Sequence, residues 1–350
     1  MQAVALLRED RALRLVEKPR PEPADGEVLV RTLSVGIDGS DRRLVDGEIG
    51  EFPEGEDHLV LGHEAVGVVE NPNGTDLECG DFVVPLVRRP TGDAGDSVEL
   101  DMAQPGTFVE RGIFGAHGYM AEFFTSQPEY LVTVPESVAD YGFFVEPASL
   151  VEKSLEQAFA ARSAFDWSPS TALVLGNGNL GLLALARLAD RPEFDRMYCL
   201  GRRGRPDPTI DFVEAVGGTY VDSRETPPEA IPETYEPIDF AFEATGYPNH
   251  SVEVPRALAS NGVATLQGIP GSAETAIDIG EFHTDLVVEN KALLGVVNSR
   301  SSHFEAAIEW LAETDPELLD TLVTGVFTPA AVDAAFADDD ETMKTVVTFE

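Results

Sequence analysis

Residues 171–190 read TALVLGNGNLGLLALARLAD, and this stretch decides the fold of the chain. An apolar run that ends at Leu175 is followed by a glycine turn and then by an apolar helical pattern. Gly176 and Gly178 permit the tight turn and the close approach of a pyrophosphate, while Gly181 lets the helix pack on the strand. The helix N-terminus then faces the phosphates. The pattern therefore predicts a dinucleotide-binding loop made of Gly176, Asn177, Gly178, Asn179, Leu180 and Gly181.

The hydrophobic periodicity changes near residue 150. Before it, short β-branched runs alternate with Gly, Pro and Asp, which is typical of an all-β domain with a partly open barrel. After it, strand and helix patterns alternate, which indicates parallel βαβ units in a doubly wound sheet. We therefore predict an α/β protein with a catalytic domain at 1–150 and 301–350 and a dinucleotide-binding domain at 151–300. The segment 88–107 is expected to form an exposed loop.

The composition argues against several kinds of partner. A net charge of -39 opposes nucleic acid, because binding to phosphates needs a basic surface. No apolar run approaches the length of about 18 residues that spans a bilayer. Residues 1–15 also carry charges where a signal peptide needs an apolar core. We expect a cytoplasmic protein that binds neither nucleic acid nor membrane.

The residues after the second strand of the nucleotide-binding half distinguish between two cofactors. An NAD site carries an acid there, which holds the ribose 2′-hydroxyl. This chain has Gly201, Arg202 and Arg203 instead, and no nearby acid opposes them. Two guanidinium groups suit a 2′-phosphate dianion, so we predict NADP as the cofactor and NAD as a poorer second. The alternative is that both arginines are solvated on a loop.

One histidine is a candidate metal ligand. His63 lies in LGHEAVG at 61–67, and a lone histidine is more often a hydrogen-bonded core residue than a ligand. Two other stretches favour the metal-binding role of His63. VGIDGSD at 35–41 lies upstream, and FVEP at 144–147 lies between the β region and the nucleotide-binding half.

The order of these motifs resembles that of the zinc-dependent medium-chain dehydrogenases over nearly the whole chain. The matching stretches are G-x-D-G-S-D at 36–41, G-H-E-A-x-G at 62–67, E-P at 146–147 and G-N-G-x-x-G at 176–181. Finer features are similar to the glucose 1-dehydrogenases of halophilic archaea, namely Glu110, E-P-x-x-x-x-E-K at 146–153, Arg202, Arg203 and V-V-N at 296–298.

The resemblance implies a GroES-like β-barrel domain, a Rossmann domain and one catalytic zinc. Asp38, His63 and Glu146 would bind the zinc, and Glu64 would be a fourth ligand that exchanges with water. Three protein ligands and one open position suit a catalytic metal. Ser40 would touch the substrate and relay its proton. Further implied residues are Glu110, Glu146 and Asn298 for the sugar, and Asn177 to Leu180, Gly201 to Arg203, Gln267, Gly268, Ile269, Val296, Val297, Asn298 and Lys344 for NADP.

Three features depart from the family pattern. Asp38 stands where the family usually has a cysteine, which gives an all-N/O ligand set and makes divalent ions other than zinc more competitive. The four closely spaced cysteines of the family's second, structural zinc are missing, since residues 80–198 contain no cysteine. Leu150 stands where related enzymes carry a sugar-binding aspartate.

The activity implied by the resemblance is the oxidation of D-glucose at C1 to gluconolactone. Hydride would pass to NADP while zinc acts as a Lewis acid. Another aldose, a polyol or a secondary alcohol is the alternative substrate, and a non-catalytic NADPH-binding protein is the alternative from another class. A small sugar is the expected partner, and the family usually forms homodimers or homotetramers.

The basic residues are unevenly distributed between the two types. Only four of the 24 are lysines, against 63 Asp and Glu. Lysine depletion with acid enrichment resembles the proteins of halophiles that accumulate salt. Self-repulsion from this charge destabilises the compact state in dilute buffer. At about 1 M salt the Debye length shrinks to about 3 Å, which largely removes that penalty.

We predict that the activity or the stability of the protein collapses below roughly 0.5 M KCl, because screening then no longer offsets the self-repulsion. Thermal unfolding followed by circular dichroism across a KCl series checks this. An unchanged melting temperature in dilute buffer would contradict it.

Overall fold

The computed structural model describes residues 1–92, 100–271, 274–337 and 342–349. The chain divides into two compact units, of which the first is Met1–Ser149 with Asn298–Glu350 and the second is Leu150–Val297. Within the described ranges, no helix is both long enough and apolar enough to cross a membrane.

The first part of the chain is built of short strands, as its β-branched runs predict. The strands are β1 (Gln2–Leu7), β2 (Leu13–Glu17), β3 (Val28–Ile37), β4 (His58–Val60), β5 (Glu64–Asn71), β6 (Phe82–Pro85), β7 (Arg88–Pro90), β8 (Phe108–Arg111), β9 (Gly115–Ala116), β10 (Phe123–Ser126) and β11 (Leu131–Val134). The α-helices are α1 (Gly39–Asp46), α2 (Glu136–Ala139) and α3 (Val145–Ala161), and 3₁₀ turns lie at Leu100–Met102, Pro128–Tyr130 and Gly142–Phe144.

Strands and helices alternate in the second unit. The strands are β12 (Thr171–Leu175), β13 (Arg196–Gly201), β14 (Thr219–Asp222), β15 (Ile238–Glu243), β16 (Leu258–Leu266) and β17 (Ala292–Gly295). The helices are α4 (Asn179–Ala189), α5 (Pro208–Ala215), α6 (Ile231–Thr234), α7 (His250–Ala257) and α8 (Ile279–Val288), with a 3₁₀ turn at Pro228–Ala230.

These six strands form one parallel sheet in the order β14-β13-β12-β15-β16-β17. The strand order reverses at β12, so the sheet is doubly wound, and the prediction of that fold is confirmed. All five residues of β12 are buried, which explains why its sequence is a continuous apolar run. In such a sheet, dinucleotides bind beyond the carboxyl ends of the strands where the order reverses.

The C-terminal segment returns to the first unit. It contains α9 (Ser301–Glu313), α10 (Pro316–Leu322), β18 (Val323–Phe327), α11 (Val332–Ala335) and β19 (Lys344–Thr348), with a 3₁₀ turn at Pro329–Ala331. β19 pairs antiparallel with β3 and parallel with β18. The stretch TVVT at 345–348 is therefore part of a returning strand, because its β-branched residues fit beside the buried strand β3.

Small sheets surround an apolar core in the first unit, in agreement with the predicted partly open barrel. The largest has the order β11-β6-β5-β3-β19-β18, with β10 also on β3, and the smaller ones are β2-β1-β4 and β7-β8-β9. Its core contains Val4, Val35, Leu61, Tyr119, Met120 and Val347. Because β3 pairs with both β5 and β19, it brings three distant segments side by side at its C-terminal end.

The prediction of an exposed loop at 88–107 is wrong for its beginning. Arg88 and Arg89 lie in β7, and both are buried. The Arg88 guanidinium lies 3.8 Å from the ring centroid of Phe108 and donates to backbone carbonyls, so its charge and its donors are satisfied. Residues 93–99 lie outside the described residues.

Candidate metal centre and dinucleotide-binding loop

Helix α1 begins with two aspartates that cap it. The backbone N–H of Asp41 donates to Asp38 Oδ1 at 2.8 Å, and the N–H of Asp38 donates to Asp41 Oδ2 at 3.2 Å. This reciprocal capping box satisfies two N–H groups that the helix leaves unpaired. Each carboxylate thereby keeps its second oxygen for another partner.

Those second oxygens face opposite nitrogens of one imidazole. His63 Nε2 lies 3.6 Å from Asp38 Oδ2, and His63 Nδ1 lies 3.5 Å from Asp41 Oδ1. Burial alone would lower the pKa of His63, but the two carboxylates outweigh it and raise that pKa well above its ordinary value. For Asp38, burial is likewise outweighed by His63, so its pKa falls below the usual range. Burial raises the pKa of Asp41.

Glu64 lies one residue further along and faces a lysine from the C-terminal strand. Its Oε2 pairs with Nζ of Lys344, and both side chains are buried. Gly36 of β3 separates them, since β3 pairs with β5 on one side and β19 on the other. A Cβ at residue 36 would lie 2.4 Å from Glu64 Oε2 and 2.7 Å from Lys344 Cε. Only glycine leaves room for this buried pair.

Glu146 is in the first turn of α3 and is buried. Burial raises its pKa to about 8, with Glu64 and Asp38 adding to the increase while His63 and Lys344 oppose it. Burial likewise raises the pKa of Glu64 to about 7 despite Lys344. Both carboxyl groups are therefore costly to ionise here, and a nearby divalent cation would remove that cost.

The donor set fits a metal ion. One ligand atom each of Asp38, His63 and Glu64 lies within 4.8 Å of the others. The 3.6 Å between His63 Nε2 and Asp38 Oδ2 is too long for a good hydrogen bond. Two ligands bound at about 2.1 Å to one tetrahedral ion lie about 3.4 Å apart, which is close to that distance. Glu146 is not part of the 4.8 Å set, although its charge acts on the same groups.

Asp41 is a residue that the sequence reasoning missed. A metal-bound histidine usually gives its other ring nitrogen to a carboxylate, which fixes the orientation of the ring. Asp41 Oδ1 faces that nitrogen, since it lies 3.5 Å from His63 Nδ1. The spacing of Asp38 and Asp41 by three residues was the available signal, because it is the spacing of a capping box.

The structure also places the predicted sugar contacts in the first unit. Ser40 lies half-buried in α1, two residues after Asp38. Glu110 lies in β8, where its Oε1 accepts from Arg88 Nε at 2.9 Å. That bond holds Glu110 in one orientation and explains why Arg88 is buried beside it.

Asn298 is buried and has a φ of 55°, a left-handed conformation that asparagine tolerates better than most residues. Its Oδ1 accepts from the N–H of Ser299 at 2.8 Å. The hydroxyl of Ser299 contacts that of Ser149, which donates to the carbonyl of Glu146. Two serines therefore connect two of the predicted sugar-binding residues.

The glycines of the predicted dinucleotide loop are required for different reasons. Gly176 has a φ of 113°, and a Cβ there would lie 2.8 Å from Thr245. A Cβ at Gly181 would lie 1.9 Å from the carbonyl oxygen of Gly176, so α4 can approach β12 only without one. A Cβ at Gly178 would meet nothing within 4 Å. Gly178 is also the N-cap of α4 and provides no side-chain cap, which suits a phosphate at the N–H groups of that helix.

Asn177 connects this loop to the first turn of α5. Its Nδ2 donates to Thr209 Oγ1 at 2.6 Å, and the N–H of Thr209 donates to Asp207 Oδ1 at 2.9 Å. A Cβ at Gly201 would lie 2.5 Å from Asn177 Oδ1. Gly201 therefore makes room for the side chain of Asn177.

The expectation that no acid lies near Arg202 and Arg203 is wrong. Arg202 is exposed, but Arg203 Nη1 lies 3.6 Å from the buried carboxylate of Asp207. Asp222 pairs with Gly201 in the parallel register of β13 and β14, so a second carboxylate ends the neighbouring strand. Asp207 lies near Arg203 because it caps the N-terminus of α5. Asp222 lies near Gly201 because β14 pairs with β13 in the sheet.

The other predicted cofactor residues differ in burial and in their contacts. Gln267 Nε2 donates to Ser154 Oγ, whereas its buried Oε1 has no hydrogen-bond partner among the described residues. A Cβ at Gly268 would lie 2.0 Å from the N atom of Gly246, so two loops meet closely there. Ile269 and Val297 are exposed and Val296 is buried. Lys344 lies in the first unit, as described above.

Two family models together cover most of the chain. The alcohol dehydrogenase GroES-like domain matches residues 24–136, and the glucose dehydrogenase C-terminus matches residues 139–349. The zinc-dependent medium-chain dehydrogenases are the class that this fold and site define. The chain belongs to their glucose dehydrogenase family.

Curated relatives and a solved structure are similar over the full length. The chain is 67% identical to glucose 1-dehydrogenase 2 of Haloterrigena turkmenica, with 100% of both chains covered. It is 55% identical to glucose 1-dehydrogenase of Haloferax mediterranei, covering 100% of this chain and 99% of that one. The Haloferax mediterranei glucose dehydrogenase solved in complex with NADP, Zn and gluconolactone matches with a TM-score of 0.98 and 54% identity, covering 100% of this chain and 99% of that one.

We predict opposite effects of alanine at two glycines of the loop. Gly181→Ala should destabilise the protein by about 1–3 kcal/mol, because its Cβ collides with backbone. Gly178→Ala should change stability by less than about 1 kcal/mol, because its Cβ meets no protein atom and only the N-cap changes. The same Cβ should weaken NADP binding about tenfold, which is about 1.4 kcal/mol.

Thermal unfolding and calorimetric titration with NADP separate the two effects. A Gly178→Ala protein that binds NADP like the wild type would mean that the pyrophosphate does not approach this loop.

Proposed function

We propose that this chain is a zinc-dependent, NADP-dependent glucose 1-dehydrogenase that oxidises D-glucose at C1 to gluconolactone. The observation that carries the proposal is the convergence of ligand atoms from Asp38, His63 and Glu64 within 4.8 Å. It occurs in a chain 54% identical to a glucose dehydrogenase solved with NADP, Zn and gluconolactone. In this proposal the first unit is the catalytic domain and the second is the dinucleotide-binding domain.

The metal would be held by Asp38, His63 and Glu146, with Glu64 as the exchangeable ligand. A zinc ion held there would supply Lewis-acid polarisation of the C1 hydroxyl, and NADP would supply the hydride acceptor. Asp41 orients His63 through Nδ1, because the two atoms already face each other at 3.5 Å. Lys344 would form an ion pair with Glu64 when that carboxylate is not a metal ligand, since the lysine supplies a positive charge in the same buried position.

Sugar hydroxyls would be held by residues that neighbouring groups already orient. Ser40 would relay the proton of the C1 hydroxyl, accepting it while its own proton passes on to solvent, and both electrons of the C1–H bond would go to the cofactor as the hydride leaves. Glu110 is fixed by Arg88, and Asn298 is tied to Glu146 through two serines. Such preorganised groups position C1 without paying for their ordering when the sugar binds.

The substrate alternative is another aldose, a polyol or a secondary alcohol. Leu150 is the residue that favours it, because related enzymes use an aspartate there to hold the sugar. Initial rates with a panel of sugars and alcohols in high salt decide between these substrates.

We also propose a homodimer or homotetramer. α8 buries none of its side chains, and Ile279, Val287 and Val288 are 66%, 61% and 71% exposed. β17, the next element along the chain, is an edge strand of the six-stranded sheet. Exposed apolar side chains and an open edge in a strongly acidic protein suit contact with a second copy.

The cytoplasm of a high-salt cell is the proposed location, given the net charge of -39.

Removal of the metal should abolish turnover without unfolding the protein. The reason is that the proposed ion is catalytic and that the cysteines of a structural site are missing. Dialysis against EDTA, followed by glucose oxidation assays and circular dichroism in the same high-salt buffer, checks this. Asp38→Ala should reduce the zinc content measured by plasma mass spectrometry while leaving NADP binding in place. Turnover that survives chelation would refute the zinc mechanism.

Replacement of both Arg202 and Arg203 by alanine should raise the Michaelis constant for NADP strongly and leave that for NAD nearly unchanged. Charge-assisted guanidinium–phosphate bonds contribute about 1.5–3 kcal/mol each, so two give a preference on the order of 100-fold. The turnover number should change little, because the 2′-phosphate is remote from the reacting carbon. An equal rise in the Michaelis constants for both cofactors would mean that these arginines are solvated surface residues that do not bind the 2′-phosphate.

A further inference from the structure

A carboxylate lies beside the proposed 2′-phosphate position. Asp222 ends β14 directly opposite Gly201, the last residue of β13, and the N–H of Ser223 donates to the Gly201 carbonyl at 2.8 Å. Arg202 and Arg203 continue from that same point. In NAD sites the acid that accepts from the ribose 2′-hydroxyl follows the second strand, which here ends at Gly201, and Asp222 lies directly opposite that residue on the neighbouring strand. Left bare, Asp222 would repel a phosphate dianion.

One arginine covers both oxygens of this carboxylate. Arg224 Nε donates to Asp222 Oδ1 at 2.8 Å, and Arg224 Nη2 donates to Asp222 Oδ2 at 2.5 Å. The backbone N–H of Arg224 also donates to Asp222 Oδ1 at 2.9 Å. These hydrogen bonds lower the pKa of Asp222, so its charge persists and must be compensated at neutral pH.

The Arg224 guanidinium also contacts the segment that contains Arg202 and Arg203. Its Nη2 lies 3.4 Å from the carbonyl oxygen of Arg203. Arg203 in turn is held by Tyr220 of β14, whose hydroxyl accepts from the Arg203 N–H at 2.8 Å and donates to the Arg203 carbonyl at 3.0 Å. The ends of β13 and β14 therefore form one connected group, in which Arg224 lies between Asp222 and the backbone of Arg203.

We propose that Arg224 is a cofactor-specificity residue that masks Asp222 and thereby allows a 2′-phosphate to bind where the bare carboxylate would repel it. The inference rests on the proposed use of NADP and on the placement of its 2′-phosphate at Arg202 and Arg203. Arg224 acts through Asp222 and is therefore a positioning residue. At about 1 M salt the Debye length is only about 3 Å, so such masking depends on direct contact and not on the overall charge of the protein.

The test is calorimetric titration of the zinc-loaded protein with NADP and with NAD in about 1 M KCl, conditions that screen remote charges. Arg224→Ala should weaken NADP binding about tenfold and leave NAD binding equal or tighter. The double variant Asp222→Asn/Arg224→Ala should recover most of the lost NADP affinity, because it removes the carboxylate that had become bare. Recovery is the result that a merely structural role for Arg224 does not produce.

Arg196→Ala is the matched control. Arg196 begins β13, at the opposite end of the same strand, and pairs with Glu236 at 2.5 Å, so its loss removes one charge and one exposed ion pair as well. This variant should bind both cofactors like the wild type. Thermal unfolding of all variants verifies that each titrated protein is folded.

The outcomes separate this inference from the proposed function. A wild-type protein that binds NADP no better than NAD overturns the proposed cofactor. A wild-type preference for NADP that persists in Arg224→Ala overturns the masking role alone. Equal losses in Arg224→Ala and in the double variant also overturn masking, since Arg224 would then contact the phosphate itself.

Discussion

The burial of several carboxylates around one histidine is the constraint on which the first unit depends. Asp41, Glu64 and Glu146 are all buried, and Asp38 is three-quarters covered. Buried charges are costly unless they are paired or bind a metal. The capping box on α1 gives Asp38 and Asp41 backbone N–H partners. The pairing of β3 with β5 and β19, together with the space left by Gly36, gives Glu64 its partner Lys344.

In the second unit, carboxylates are compensated by neighbouring side chains and not by a buried cluster. Acids at the carboxyl ends of β13 and β14 have local partners before any ligand arrives. Asp207 accepts from Thr209 at the start of α5 and faces Arg203, while Asp222 is held by Arg224. In the proposed NADP site, these pairings leave Asp207 and Asp222 compensated beside the two arginines of a strongly acidic chain.

The four lysines illustrate how selectively this chain uses that residue. Lys344 pairs with Glu64, Lys291 lies 3.0 Å from Glu289, Lys153 donates to the carbonyl of Val297 at 3.1 Å, and Lys18 lies 2.6 Å from His58 Nε2. Each of the four ammonium groups therefore has a specific contact. Arginine supplies most of the remaining positive charge, and its planar guanidinium suits paired carboxylates.

Local patterns in the sequence were sufficient to predict the glycine turn after β12 and the alternation of strands and helices, whereas the role of His63 and its neighbouring motifs was inferred from a family resemblance. They succeed because a turn, a buried strand and a helix start depend on adjacent residues. Tertiary structure alone decided that Lys344 faces Glu64 across 280 residues of sequence, that Arg88 is buried beside Glu110, and that Asp222 lies opposite Gly201. These contacts depend on strand pairing between distant segments, and no local pattern encodes which carboxylate a returning strand will meet.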